Sequence, residues 1–183
     1  MKEKILQALA NQIDIHGIRK FTLDSIAKDI KISKKTIYKY YNSKEELIEE
    51  YFHEIIESDK ESVEKIINSN FSLEKKLYNV IHSYHKYKLP SSVLNDVKIF
   101  YPNEWKKILE FKNFKVEVIK QLLLVSKEKG EIKKDINLEI LCLIIEKVSE
   151  EILDNEIIDK AISVNCKMEE MLKIIMNGIL DRQ

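Results

Sequence analysis

Residues Phe21 to Leu47 read FTLDSIAKDIKISKKTIYKYYNSKEEL, a pattern of two short helices separated by a tight turn. Thr22 stands where it caps the first helix, whose apolar face repeats Leu23, Ile26, Ala27 and Ile30 at helical spacing. Ser33 is placed to cap the second, which the spacing predicts from Lys34 to about Tyr40 with Ile37 and Tyr41 turned inward. The outer face of that second helix carries Lys34, Lys35, Thr36, Tyr38, Lys39 and Tyr40. Such side chains suit DNA: cations for phosphates, hydroxyls for phosphate oxygens and base edges, aromatics for the sugar backbone. Residues 18–44 hold eight Lys or Arg against two Asp, a local net charge of +6. The whole chain has 31 basic and 31 acidic residues, so the remainder carries −6. The positive charge is gathered where a helix-turn-helix would meet nucleic acid.

On the N-terminal side, residues 2–16 form a helix with Ile5, Leu6, Leu9 and Ile13 as its buried stripe and Gly17 as its stop. On the C-terminal side, Ser43 with Glu46 fits a capping box that opens a helix from Lys44 to about Asn68. At 1.5 Å per residue that helix spans roughly 35 Å, enough to join a small head to a larger body.

With these elements in place, the chain resembles the TetR-type transcriptional regulators. The resemblance rests on Ile5, Leu6 and Ala8, Gly17, Thr22, Ile26-Ala27, Ser33, Thr36-Ile37-Tyr38, Tyr40-Tyr41 and Lys44-Glu45-Glu46-Leu47. It covers about the first fifty residues, and caps, core positions and basic positions agree in order and spacing. Family members usually have Gly in the turn and again early in the second helix, where this chain has Lys31 and Lys35. A positive φ at Lys31 would strain it by roughly 1 kcal/mol. Lys35 adds a charge at the groove-facing surface, so no operator sequence carries over. The resemblance also implies a phosphate contact at Lys44, where a cation in the first turn of a helix otherwise opposes the helix dipole.

The rest of the chain reads as all-α: 183 residues, 44% hydrophobic, with three glycines and two prolines. Helices are expected from Ser72 through Lys88, from Ser91 or Ser92 to Phe100, from Pro102 to Lys129, from Asn137 to about Leu153, and from Ser163 or Val164 to Leu180. The link 154–163 reads equally as loop or helical turn. The Pro102 helix is apolar on more than one face, which predicts burial within a bundle. The organisation is a head at 1–46 and a helical ligand-binding and dimerisation body at 47–183. No stretch has the apolar length of a membrane span, and the N-terminus lacks the apolar core of a secretory signal, so the expected location is cytoplasmic. Cys142 and Cys166, in apolar helical contexts, read as two small buried hydrophobes in a reducing cytoplasm.

Catalytic and metal chemistry find little support. Glu50 and His53 form a single Glu-x-x-His pair, where a di-iron bundle needs two such pairs and further carboxylates. His82 and His85 at i, i+3 could share a metal, but more often such a pair lines a polar cavity or the surface. There is no Gly-rich phosphate loop and no Cys-x-x-Cys. No cofactor or metal is therefore expected.

In the family, the middle helices hold an effector pocket whose occupancy pivots the head, and the last two helices pair with their copies in a second subunit. Carried onto this chain, the pocket falls at Tyr78, His82, Tyr84, His85, Phe100, Trp105 and Phe114, and the dimer interface at Leu141, Ile145, Val148, Met168, Leu172, Ile175 and Ile179. The expected DNA contacts are Thr22, Ser33, Lys34, Lys35, Thr36, Tyr38, Lys39, Tyr40 and Lys44. The function that follows is a homodimeric regulator of transcription, a repressor released from an inverted-repeat operator by a small molecule. The rivals are a DNA-binding adaptor without effector and a helical-bundle metalloenzyme.

Overall fold

The computed structural model describes residues 1–83, 86–87, 89–154 and 162–179. Its elements among these residues are α1 (Lys2–His16), α2 (Leu23–Asp29), α3 (Lys34–Ile37), α4 (Lys44–Ile67), α5 (Leu73–Ile81), a 3-10 turn (Ser91–Val93), α6 (Leu94–Phe100), α7 (Pro102–Glu128), α8 (Leu138–Asp154) and α9 (Val164–Ile179). No helix among the described residues is long and apolar enough to cross a membrane.

The chain packs as two compact units, residues 1–61 with 84–110, and residues 62–83 with 111–183. Both α4 and α7 contribute residues to each unit. The first unit has its own core: Ile5, Leu9 and Ile13 of α1, Ile26 of α2, Ile37 of α3, and Leu47, Tyr51 and Phe52 of α4 are all fully buried. Tyr51 stacks on Tyr87 at 5.9 Å between ring centres, so Tyr87 belongs to this core. The second unit closes over Val63, Leu77, Val80, Ile119, Leu123, Ile145, Leu172 and Met176.

Helix ends follow local chemistry. After α2 the Ile32 N–H donates to Ala27 O at 2.9 Å and the Lys31 N–H to Lys28 O at 3.2 Å, the paired bonds of a Schellman stop. The end of α7 repeats them, Glu131 N–H to Ser126 O and Gly130 N–H to Lys127 O, both at 3.0 Å. The left-handed residue of this motif is Gly130 at φ 77° after α7, but Lys31 at φ 56° after α2. The strain expected at Lys31 is therefore present. Lys31→Gly is expected to raise stability by about 1 kcal/mol, because Gly reaches this conformation without a Cβ clash. Chemical denaturation of the two proteins measures it, and an unchanged midpoint would mean the turn tolerates the lysine freely.

Five expectations need correction, the first being that Cys142 and Cys166 are buried: Cys142 is half-buried and Cys166 exposed. The α5 helix stops at Ile81, not Lys88. Its C-cap is His82, whose N–H donates to Tyr78 O at 3.1 Å, and the Ser83 hydroxyl donates to Val80 O at 3.0 Å. The recognition helix is α-helical only over Lys34–Ile37, and Lys39 and Tyr40 follow with i→i−3 bonds to Thr36 and Ile37. The capping box at α4 is half formed: Glu46 N–H donates to Ser43 Oγ at 3.0 Å, while the Glu46 carboxylate accepts from Asn42 N and Nδ2. Finally α7 is not buried all round, since Phe114, Leu124 and Val125 are exposed. Tyr84 and His85, and residues 155–161 of the link, lie outside the described residues.

Candidate nucleic-acid interface

The two caps that define the head are formed as the residue types require. Thr22 Oγ1 accepts from Ser25 N at 3.0 Å, and Ser25 Oγ accepts from Thr22 N at 3.2 Å. This reciprocal pair uses serine where sequence patterns look for Glu or Gln, so Ser25 escaped the reading. Ser33 Oγ accepts from Thr36 N at 3.1 Å and lies 2.9 Å from Thr36 Oγ1. The cap thus fixes the N-terminal turn of α3 and also holds the Thr36 hydroxyl. Ile37, fully buried beneath that turn, seats it on the core, so Lys35, Tyr38, Lys39 and Tyr40 are held outward and exposed. A further tie was invisible in sequence: the buried Gln12 of α1 donates through Nε2 to Asp29 Oδ2 at the end of α2.

The cations of the head fall into three environments. No ion pair or side-chain hydrogen bond among the described residues engages Lys35 or Lys39. Lys34 Nζ is 2.8 Å from Asp24 Oδ2 in the first turn of α2, and the hydrogen bond to that carboxylate holds the lysine above its usual pKa. Lys44 turns inward. Its Nζ donates to Phe21 O at 3.1 Å and Arg19 O at 3.4 Å and lies 4.0 Å from the centre of the Phe21 ring. Partial burial lowers the pKa of this ammonium, yet one of its three N–H donors is still left for a phosphate. Lys44 is therefore first a clamp between the start of α4 and the loop before α2. Lys44→Met is expected to lower the unfolding free energy measured by chemical denaturation by about 1 kcal/mol, the usual net value of such hydrogen bonds. Reduced DNA affinity at unchanged stability would instead mean that Nζ serves phosphate alone.

The geometry is that of a helix-turn-helix: a capped short helix, a Schellman turn, and a second capped helix whose first turn offers Lys34, Lys35 and Thr36. Residues 5–51 match the model of the bacterial regulatory proteins, tetR family. Over these residues the chain is similar to that family. Among curated proteins it is similar to the HTH-type transcriptional regulator YhgD of Bacillus subtilis (strain 168), 24% identical over 102 residues, 56% of this chain. That match covers 52% of the relative, so the chain spans about half the length of the curated protein it matches. Solved structures agree over nearly the whole chain. A protein from Saccharomonospora viridis determined in complex with choline superposes with a TM-score of 0.72 at 14% identity, covering 99% of this chain and 98% of that one. A transcriptional regulator from Cytophaga hutchinsonii gives 0.68 at 21% identity, covering 97% of each chain. The TetR family regulator PfmR from Thermus thermophilus gives 0.63 at 16%, covering 97% and 99%. At these identities the structural likeness establishes the fold alone, all-α and tetR-like.

Outside the head, the residues singled out for a ligand fall in both units. Phe100 and Trp105 belong to the first unit, whereas Tyr78, His82 and Phe114 belong to the second. An open cleft of about 420 Å³ in the first unit is bordered by Glu45, Glu49, Glu104, Phe100 and Tyr101, so of the expected set it includes Phe100 only. The guanidinium of Arg19 lies 4.1 Å from the centre of the Phe100 ring. His82 Nε2 is 3.2 Å from Glu169 Oε2 of α9, and the Tyr78 ring lies 4.5 Å from the imidazole. Among the described residues no group of three or more His, Cys, Asp or Glu is arranged for a metal ion.

The residues carried over as a dimer interface all belong to the second unit. Leu141, Ile145, Leu172 and Ile179 are buried in the protomer's own core, with Val148, Met168 and Ile175 packed partly against it. The apolar residues of α8 and α9 that stay exposed are Ile140, Leu143, Ile144 and Ile174. Sequence periodicity points to the inward stripe of each helix and misses these, because both helices are apolar on more than one face.

Proposed function

We propose that the chain is a homodimeric repressor that binds an inverted-repeat operator and leaves it when a small molecule binds. The observation that carries the reading is the first turn of α3, capped by Ser33, seated by Ile37, and presenting Lys35 and its neighbours outward. A head of about fifty residues gains specificity chiefly when doubled, with two recognition turns one helical repeat of DNA apart, roughly 34–36 Å or a multiple. The exposed Ile140, Leu143, Ile144 and Ile174 supply an apolar face for the second copy. In this reading residues 1–46 act as the DNA-binding head and 47–183 as the regulatory and dimerising body, and the protein works in the cytoplasm as a binder without a catalytic step.

Thr22, Tyr38, Lys39 and Lys44 serve phosphates, and Lys34, Lys35, Thr36 and Tyr40 face the groove. Response to a small molecule is supported by the choline complex of the Saccharomonospora protein. Tyr78, His82 and Phe114 are the described aromatic groups of the second unit proposed to meet an effector. Genome-wide identification of bound DNA tests the reading: enrichment of an inverted repeat beside a small set of genes is expected. Fragments recovered without a shared sequence would reject it.

A further inference from the structure

The cation at the start of the recognition helix is already engaged. Lys34 Nζ lies 2.8 Å from Asp24 Oδ2, both side chains reach solvent, and the two residues sit in the first turns of α3 and α2. Asp24 is one of only two acidic residues among residues 18–44, and the other, Asp29, accepts from Gln12 on the α1 side. One carboxylate is thus set among the groups that would face the DNA polyanion. A lysine free in that position would bind a phosphate of any sequence and release a counterion on doing so. Paired with Asp24 it brings no net charge to that exchange.

We infer that Asp24 is a specificity-determining residue, which pairs with Lys34 and so withholds one cation per head from sequence-independent phosphate binding. The inference rests on the DNA-binding reading above. The pair lowers the background affinity for unrelated DNA, against which an operator must compete. On the operator the pair keeps Lys34 directed along the start of α3, where a base edge takes one of its remaining N–H donors.

The test measures salt dependence of binding by the full chain for wild type, Asp24→Asn, Lys34→Ala and the double variant. The probes are a 30-base-pair duplex of random sequence and the duplex enriched from a random pool by wild type. On random DNA, Asp24→Asn is expected to steepen the slope of log affinity against log salt by about 0.9 per head. At 0.1 M salt that is about an eightfold gain per head. In the Lys34→Ala background the same change should do nothing, and on the enriched duplex the gain should be smaller than on random DNA. An unchanged slope in Asp24→Asn while wild type binds normally overturns the inference and leaves the DNA reading intact. So does an equal steepening without Lys34, which would make Asp24 a charge acting alone, or an equal gain on both duplexes. If wild type binds neither duplex, the DNA reading itself fails and the inference with it.

Discussion

Ile144→Glu is expected to give a folded monomer whose affinity for the operator drops at least about a thousandfold, toward the non-specific level. Ile144 is 46% exposed in the protomer, so a charge there meets water until a second copy arrives. In the proposed dimer two glutamates related by the two-fold axis would be buried near one another without partners, which no interface of ordinary size tolerates. Ile145, the next residue, provides the contrast. It is 0% exposed within the protomer, and truncation to Ala should cost about 2–5 kcal/mol of folding stability. Neighbouring positions on one helix thus separate assembly from folding. Sedimentation and chemical denaturation of both variants read the two effects. An Ile144→Glu protein that stays dimeric and binds normally would move the interface off this face of α8.

Lys35→Ala is expected to relax sequence preference at one symmetric pair of operator positions by about 1–3 kcal/mol, a factor of roughly 5 to 150. Lys35 is exposed in the first turn of α3 and has no competing carboxylate among the described residues, so its ammonium is free to meet a base edge in the major groove. Lys39→Ala, two residues beyond the α-helical part of α3, should instead weaken all sequences about equally, since a phosphate contact carries no sequence information. Selection of bound duplexes from a random pool by each variant distinguishes the two roles. Should the Lys35 variant enrich the wild-type sequence unaltered, its side chain does not read bases.

The head was legible in the sequence because its determinants are local. Thr22 and Ser33 cap amides three residues away, a stop residue acts within one turn, and Leu23, Ile26 and Ile37 belong to short helices with one apolar face each. The clustering of basic residues is likewise a property of the linear chain. In the rest of the molecule local rules run out sooner. α5 ends at Ile81, a full turn and more before the apolar pattern does.

The sequence by itself therefore determined the all-α class, the helix order, the two caps that build the DNA-facing turn, and the strain at Lys31. Tertiary structure alone decided which charges of the head are free. Lys44 finds carbonyl partners 23 and 25 residues earlier in the chain, and Lys34 finds Asp24 across the turn, contacts that no periodicity encodes. It also decided which side of α8 and α9 is inside: Leu141 and Ile145 rather than Ile140 and Ile144. The physical reason is that a helix apolar on several faces satisfies the hydrophobic effect in more than one orientation. Only the shape of the surrounding helices selects the stripe that fits and leaves the other exposed.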